Sequence, residues 1–490
     1  MKHLLTISAS AMALAIAAPA AADGASALTA GSVATCASSA GGNCSDIEQT
    51  GNNDTANVTQ SGSRSVSDID QAGTGDTNTA TVEQIGSDSG NANESAITQT
   101  ASSEGNTASV TQTGAGNLSD VLQEGDDSFV AIVQNGTGNS SQVVQQDGTS
   151  FGSAANVSQA GSTNVSNVAQ LASDSDVNVN QGQDGASASS GNESFVGQTA
   201  AFSIVNVTQD GVGNTSDIYQ LTGAATIDVE QKGTENESTV LQAGGFATID
   251  VSQDGTTNVS RVGQIAIGSA VDVDQVGTSN NALVGQLSAG TVAKVSQRGS
   301  DNDAAVGQLG VGDFEYFSDP TYFDNDSSDN FFANIDQGGE VGAIGNSVVV
   351  GQLGIDNEVT VRQTGDGNSA GKRWSAVGIA QVGEMQKASL LQTGNRNTST
   401  IHQGIGDGGT SFDNLAMVEQ AADDAESVVK QNGSLNTASL TQKAGADGSF
   451  SSIVQTGSEN SAIVEQSGAA SFSTVNQNGT GNSAMVTQGS

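Results

Sequence analysis

Histidine, cysteine, carboxylate and amide are the groups in this chain that could do chemistry. There are 490 residues, with 2 His, 2 Cys and 53 Asp and Glu. His3 falls in a leader-like segment, and His402 sits beside Gln403 at an outward strand position. One such histidine cannot assemble a His-Ser-Asp or His-Cys arrangement. Carboxylates are plentiful enough for an acidic pair, but no pair stands apart from the rest. The expectation is therefore no enzyme and no cofactor. The group that recurs with order is the glutamine amide. Thirty-six glutamines run from Gln49 to Gln488, and 25 of their 35 spacings are 11 residues. An amide both donates and accepts, so a column of them can bond to itself.

Such a column requires an element that returns the chain to the same place. Two residues before each landmark glutamine, all 36 repeats carry Val, Ile or Leu, and four before it Ala, Ser, Val or Ile. This alternation puts the small residue, the aliphatic and the glutamine on one face of a strand. Two residues after most landmarks comes glycine, suited to a tight arc. Asparagine often follows three residues later. The arm is roughly five residues of turn and six of strand.

A second period overlies the first. Gln209, Gln231, Gln253, Gln275 and Gln297 start arms with Asn214, Asn236, Asn258, Asn280 and Asn302; the arms between carry Ser203, Ala225, Ala247, Ser269 and Thr291 there. A coil whose two arcs differ has this alternation, so the unit is strand-turn-strand-turn over 22 residues. The fold expected is an all-β β-solenoid of about 18 two-stranded coils, ~85 Å long at a rise of ~4.8 Å. Its amide ladder would include Gln209, Gly211, Asn214, Gln220, Gln231, Gly233, Asn236, Gln242, Gln253, Gly255, Asn258 and Gln264. Buried amides are costly unless paired, and stacking would pair all but those of the terminal coils.

Composition fits thin coils: 63 Gly, 2 Pro and 3% aromatics, with a net charge of −40. Proline would remove ladder donors. The acidic outward face disfavours nucleic acid and anionic lipid as partners. Residues 1–22 read as a secretory signal: Lys2, an apolar run from Leu4 to Ala18, then Ala20-Ala21-Ala22. Nothing later is apolar enough for membrane insertion. Residues 23–44 form a short N-terminal segment in which Cys36 and Cys44 could close a disulfide in an oxidising compartment; a metal site or redox pair has no histidine or Cys-x-x-Cys spacing to support it. The repeats occupy 45–490.

Ten spacings depart from the period, four of them by six residues or more. Gln181–Gln198, Gln363–Gln381 and Gln403–Gln420 keep the aliphatic before the next glutamine, which predicts extra residues in the turns. The longest gap, Gln308 to Gln337, predicts a loop at about 309–330. It holds seven of the 17 aromatics, and Asp324, Asp326 and Asp329, a weak Ca²⁺ candidate with no EF-hand glycine and glutamate after it. The bland reading is an exposed loop; the alternative is a contact site for a partner. Lys372-Arg373-Trp374 is a smaller basic-aromatic insert.

The arm Gln209-x-Gly211-x-x-Asn214-x-Ser216-x-Ile218-x-Gln220 resembles the curlin repeat, and so does Gln49-x-Gly51-x-x-Asp54-x-Ala56-x-Val58-x-Gln60 with Asp54 in the asparagine place. The resemblance runs from 45 to 490. It implies a secreted bacterial subunit of curli, functional amyloid fibres of adhesion and biofilm matrix. The partners it implies are further copies of the chain joined head to tail, a nucleating curlin and a dedicated outer-membrane export channel. The cysteine segment and the great length depart from the family pattern. The rival reading is a monomeric or capped surface adhesin that binds a matrix or carbohydrate ligand through its loops. Ice binding would need regular outward Thr-x-Thr ladders, and the outward pairs vary.

Overall fold

A computed structural model describes residues 42–489, apart from 63, 73–76, 87–90, 101–104, 147–151, 172, 183–188, 288, 311–331, 339–342, 371–377 and 406–410. The expected leader, Cys36, the Asp324, Asp326 and Asp329 candidate and Lys372-Arg373-Trp374 lie outside the described residues. The described residues divide into two units, 42–246 and 247–489. Among the described residues every regular element is a strand.

The first unit holds 17 strands, Cys44–Gln49 to Glu237–Gln242. Alternate strands pair, parallel and in register. Glu193–Gln198 lies on Thr215–Gln220, which lies on Glu237–Gln242; Ile204–Val212 lies on Thr226–Thr234. Each partner is therefore the strand after next, and consecutive strands belong to opposite sheets. Like stacks on like: Val196 on Ile218 on Val240, and Gln198 on Gln220 on Gln242. These aliphatics are fully buried between the sheets, with the small residues and glutamines beside them. The period-two alternation is thus a division between a dry interior and a wet outside.

The strands are not all six residues long. In the first unit, six-residue strands alternate mostly with nine-residue ones such as Ile204–Val212 and Thr226–Thr234. The difference lies in the arcs. After Gln209 the strand runs on through Gly211 at φ 119°, and Gly233 repeats this at φ 103°. This is the glycine arc. After Gln220 the strand stops at the glutamine, and the next N–H, of Leu221, donates to the Gln242 carbonyl at 2.9 Å. This is the plain arc.

The second unit winds in the same way but exchanges its corners. Thr248–Thr256, Ala270–Thr278 and Val292–Ser300 carry glycine arcs at Gly255, Gly277 and Gly299 (φ 113° to 132°). Beyond the 308–337 gap, glycine arcs occur in the other sheet, at Gly354, Gly383, Gly433, Gly457 and Gly479 (φ 105° to 128°). The strands bearing them stack on Asp303–Gly310, directly or through their neighbours. The exchange uses extra chain. Between Gln337 and Gln352, Ala343–Ile344 pairs with Gly299–Ser300 of the glycine arc below, while Gly338 N–H donates to the Gln363 carbonyl at 2.7 Å, as a plain arc does.

Two insertions differ from the sequence reading. Leu309 and Gly310 do not start the loop; they continue their strand against Leu353 and Gly354. The extra residues between Gln363 and Gln381 do not sit in the turn. Ser369–Ala370 pairs with Ser347–Val348, and Ile379 pairs with Val350, so the insertion interrupts the strand. The cause is the arc before it: Asn368 N–H donates to Asn346 Oδ1 at 2.8 Å, which holds the turn at ordinary length and pushes the surplus onward.

Excision of Val311–Asn330 is expected to leave the β circular dichroism unchanged. Gln308 and Gln337, on either side, both have their ladder bonds, to Gln352 at 3.0 Å and from Gln297 at 2.8 Å. Loss of β signal would show that the insertion is structural.

Candidate functional site: the amide ladders and the end rungs

The landmark glutamines turn inward, because strand parity puts that position on the face of the buried aliphatic. In the first unit Gln181 Nε2 donates to Gln209 Oε1 at 2.8 Å, and Gln209 Nε2 to Gln231 Oε1 at 2.9 Å. Gln198 donates to Gln220 at 2.8 Å. The second amide hydrogen goes to backbone: Gln209 reaches the Glu193 carbonyl at 2.8 Å. In the second unit Gln253 donates to Gln275 at 2.8 Å and Gln264 to Gln286 at 2.9 Å. These side chains are buried, so each bond replaces one that water would otherwise supply.

Asparagines form a second column at the arcs. Asn214 Oδ1 accepts from the Asn236 N–H and from its Nδ2, both at 3.1 Å, and Asn214 Nδ2 donates to the Gly233 carbonyl at 3.3 Å. Asn258 and Asn280 repeat the pattern. One amide thus ties its own arc to the arcs on either side. Gly211 and Gly255 are required by the same closeness: a Cβ on either would overlap the carbonyl of the glycine one coil on, Gly233 or Gly277.

Pairing is not complete in the interior, contrary to the expectation from stacking. The Gln242 amide turns to the carbonyl of Gly244 in its own glycine-rich arc, and Gln242 Oε1 has no partner. Gln264 Oε1, Asn346 Nδ2 and Asn397 Nδ2 are also buried without one. So are the hydroxyls of Ser141, Ser166, Ser194, Ser216 and Ser238. Stacked hydroxyls separated by the coil rise of ~4.8 Å are too far apart to bond. At Ser399 and Ser427 the oxygens do meet, at 2.9 Å.

Stacking also aligns outward charges. Asp46 lies beside Asp68 and Glu48 beside Asp70. Among the described residues some cations bridge coils: Lys294 meets Asp272 at 2.6 Å, and Arg396 makes a two-bond pair with Asp424. Burial pushes the Asp217 carboxyl up, with Glu193 and Glu237 adding to it. Burial also raises Asp120, Asp274 and Asp70, the last aided by Glu48 and Asp68. A carboxyl raised in the folded state stabilises the fold at low pH, and that contribution is lost as pH rises through the folded value. Arg396 holds exposed Asp424 down, which acts in the opposite sense. With four raised carboxyls against one lowered, the melting temperature is expected to rise as pH falls from neutral toward about 4. Calorimetry across that window checks it, and a steady fall would contradict it.

Cys44 opens its strand and is disulfide-bonded. His402 sits in register between Ala380 and Lys430. Among the described residues no three His, Cys, Asp or Glu are placed to hold a metal, and no helix is long and apolar enough to cross a membrane.

Parallel in-register coils with inward amide columns define a cross-β solenoid, a structural rather than a catalytic architecture. Residues 51–86 match the family model of the curlin associated repeat. No curated protein matches the chain.

Proposed function

We propose that this protein is a secreted structural subunit that assembles end to end into curli-like extracellular fibres, serving adhesion and biofilm matrix. The observation that carries this reading is the polarity of the amide columns. Among the described residues the Gln-to-Gln bonds run from Nε2 of the earlier residue to Oε1 of the later one, from Gln49 to Gln71 (2.6 Å) through Gln466 to Gln488 (2.8 Å). The first coil therefore offers Oε1 acceptors at Gln49 and Gln60. The last offers Nε2 donors at Gln477 and Gln488, which reach only the Ser461 and Phe472 carbonyls. End coils with unpaired strand edges recruit further strands. Head-to-tail contact that does not close gives a filament.

Charge favours the same pairing. The first strands carry Asp46 and Glu48, so two such ends repel. The last two strands, Phe472–Thr480 and Ser483–Gln488, carry no charge. By resemblance, a nucleating curlin and an outer-membrane channel serve initiation and export. Thioflavin fluorescence and fibre diffraction of the mature chain test the reading, with reflections expected near ~4.8 and ~10 Å. A chain that stays monomeric at all concentrations and in seeded solutions would instead be a capped adhesin.

A further inference from the structure

The first and last arcs described are of different kinds. The first arc, Thr50–Asp54, is plain. Its strand stops at Gln49, Thr50 N–H donates to the Gln71 carbonyl at 2.9 Å, and Gly51 does not take positive φ. The last arc is a glycine arc, with Gly479 at φ 115° and the strand running on to Thr480. Within the chain, the glycine of a glycine arc stacks tightly on the backbone one coil on: a Cβ on Gly457 would overlap the Gly479 carbonyl. Gly479 is the open end of that column, where a Cβ would find Asn482 Nδ2 as its nearest neighbour, at 3.6 Å.

End-to-end growth, the reading on which this inference rests, sets Cys44–Gln49 of an incoming copy on Phe472–Thr480. Counting from the paired landmarks Gln477 and Gln49, Gly51 falls on Gly479. A plain arc then meets a glycine arc. Inside the chain that meeting is bridged by the long arc between Gln337 and Gln352, and the junction between copies has only the 11-residue spacing from Gln49 to Gln60.

We propose that the C-terminal edge, Phe472–Gln488, is the docking surface for a second copy, and that the first arc of that copy changes kind as it docks, Gly51 moving to positive φ over Gly479. Gly51 is then the residue that determines whether an end is accepted. Glycine alone enters that region of φ without strain. The free chain needs no such conformation there, so the requirement appears only at the junction.

The test is elongation of preformed wild-type fibres by soluble Gly51→Ala chain, with Gly268→Ala, at positive φ with nothing within 4 Å of its Cβ position, as a control remote from both ends. Gly51→Ala is expected to fold as wild type by circular dichroism and to elongate roughly tenfold or more slowly, while Gly268→Ala elongates as wild type. Solid-state NMR of labelled wild-type Gly51 is expected to report negative φ in the free chain and positive φ in fibres, a readout that does not depend on the variant folding. Elongation of Gly51→Ala at the wild-type rate, or an unchanged Gly51 torsion in fibres, would overturn the proposal. Wild-type chain that never elongates would overturn the fibre reading itself.

Discussion

Val273→Asp is expected to abolish cooperative folding of the coils around it, and fibre growth with it. Val273 is 1% exposed and stacks between Val251 and Val295, both fully buried. A carboxylate there faces aliphatics on both neighbouring coils and the opposite sheet. It can ionise only without a partner, or stay protonated with its hydroxyl unsatisfied. Either state costs roughly 4 kcal/mol or more, comparable to a large part of the stability of an ordinary domain. Because coils touch only their neighbours, the damage should be local at first. Hydrogen exchange should accelerate in Thr248–Thr256 and Val292–Ser300 before it does in Phe450–Ser458. The same holds for Val251→Asp. Urea denaturation and thioflavin growth measure the effect, and wild-type stability with normal fibres would refute the stacked interior.

Gly277→Ala should be nearly as damaging, for a different reason. Gly277 lies at φ 125°, and a Cβ would overlap the Gly299 carbonyl, which is backbone and cannot rotate away. Backbone strain and that overlap act together, for a loss of roughly 3 kcal/mol. Gly448 is the contrast. It also has positive φ, 66°, but nothing lies within 4 Å of its Cβ position. Gly448→Ala should cost about 1 kcal/mol, the backbone contribution alone. Melting temperatures of the two variants separate close stacking from simple conformational preference. Equal losses would mean that the glycine column is not in contact.

Much of this was legible residue by residue. Val, Ile or Leu two before each glutamine names the buried column, because a strand has period two and every coil repeats the same surroundings. Gln209, Asn214, Gln231 and Asn236 could be assigned to ladders for the same reason. The insertion after Gln363 was misplaced because the sequence shows only its length. Its position was set by Asn368, held to the asparagine of the coil before. The fault at Gln242 was equally hidden: nothing in its own arm differs enough to show that a Gly244 carbonyl would come within reach.

By itself, the sequence determined the period, the inward columns and the strand-arc-strand winding, since each follows from local alternation repeated at fixed spacing. Only the tertiary structure decided which arcs are glycine arcs and where they change corners. Glycine stands two after the landmark in both kinds, at Gly255 and at Gly365, yet only Gly255 takes positive φ. An arc adopts the form that stacks on the arcs above and below it, and those neighbours lie a full coil away in the chain.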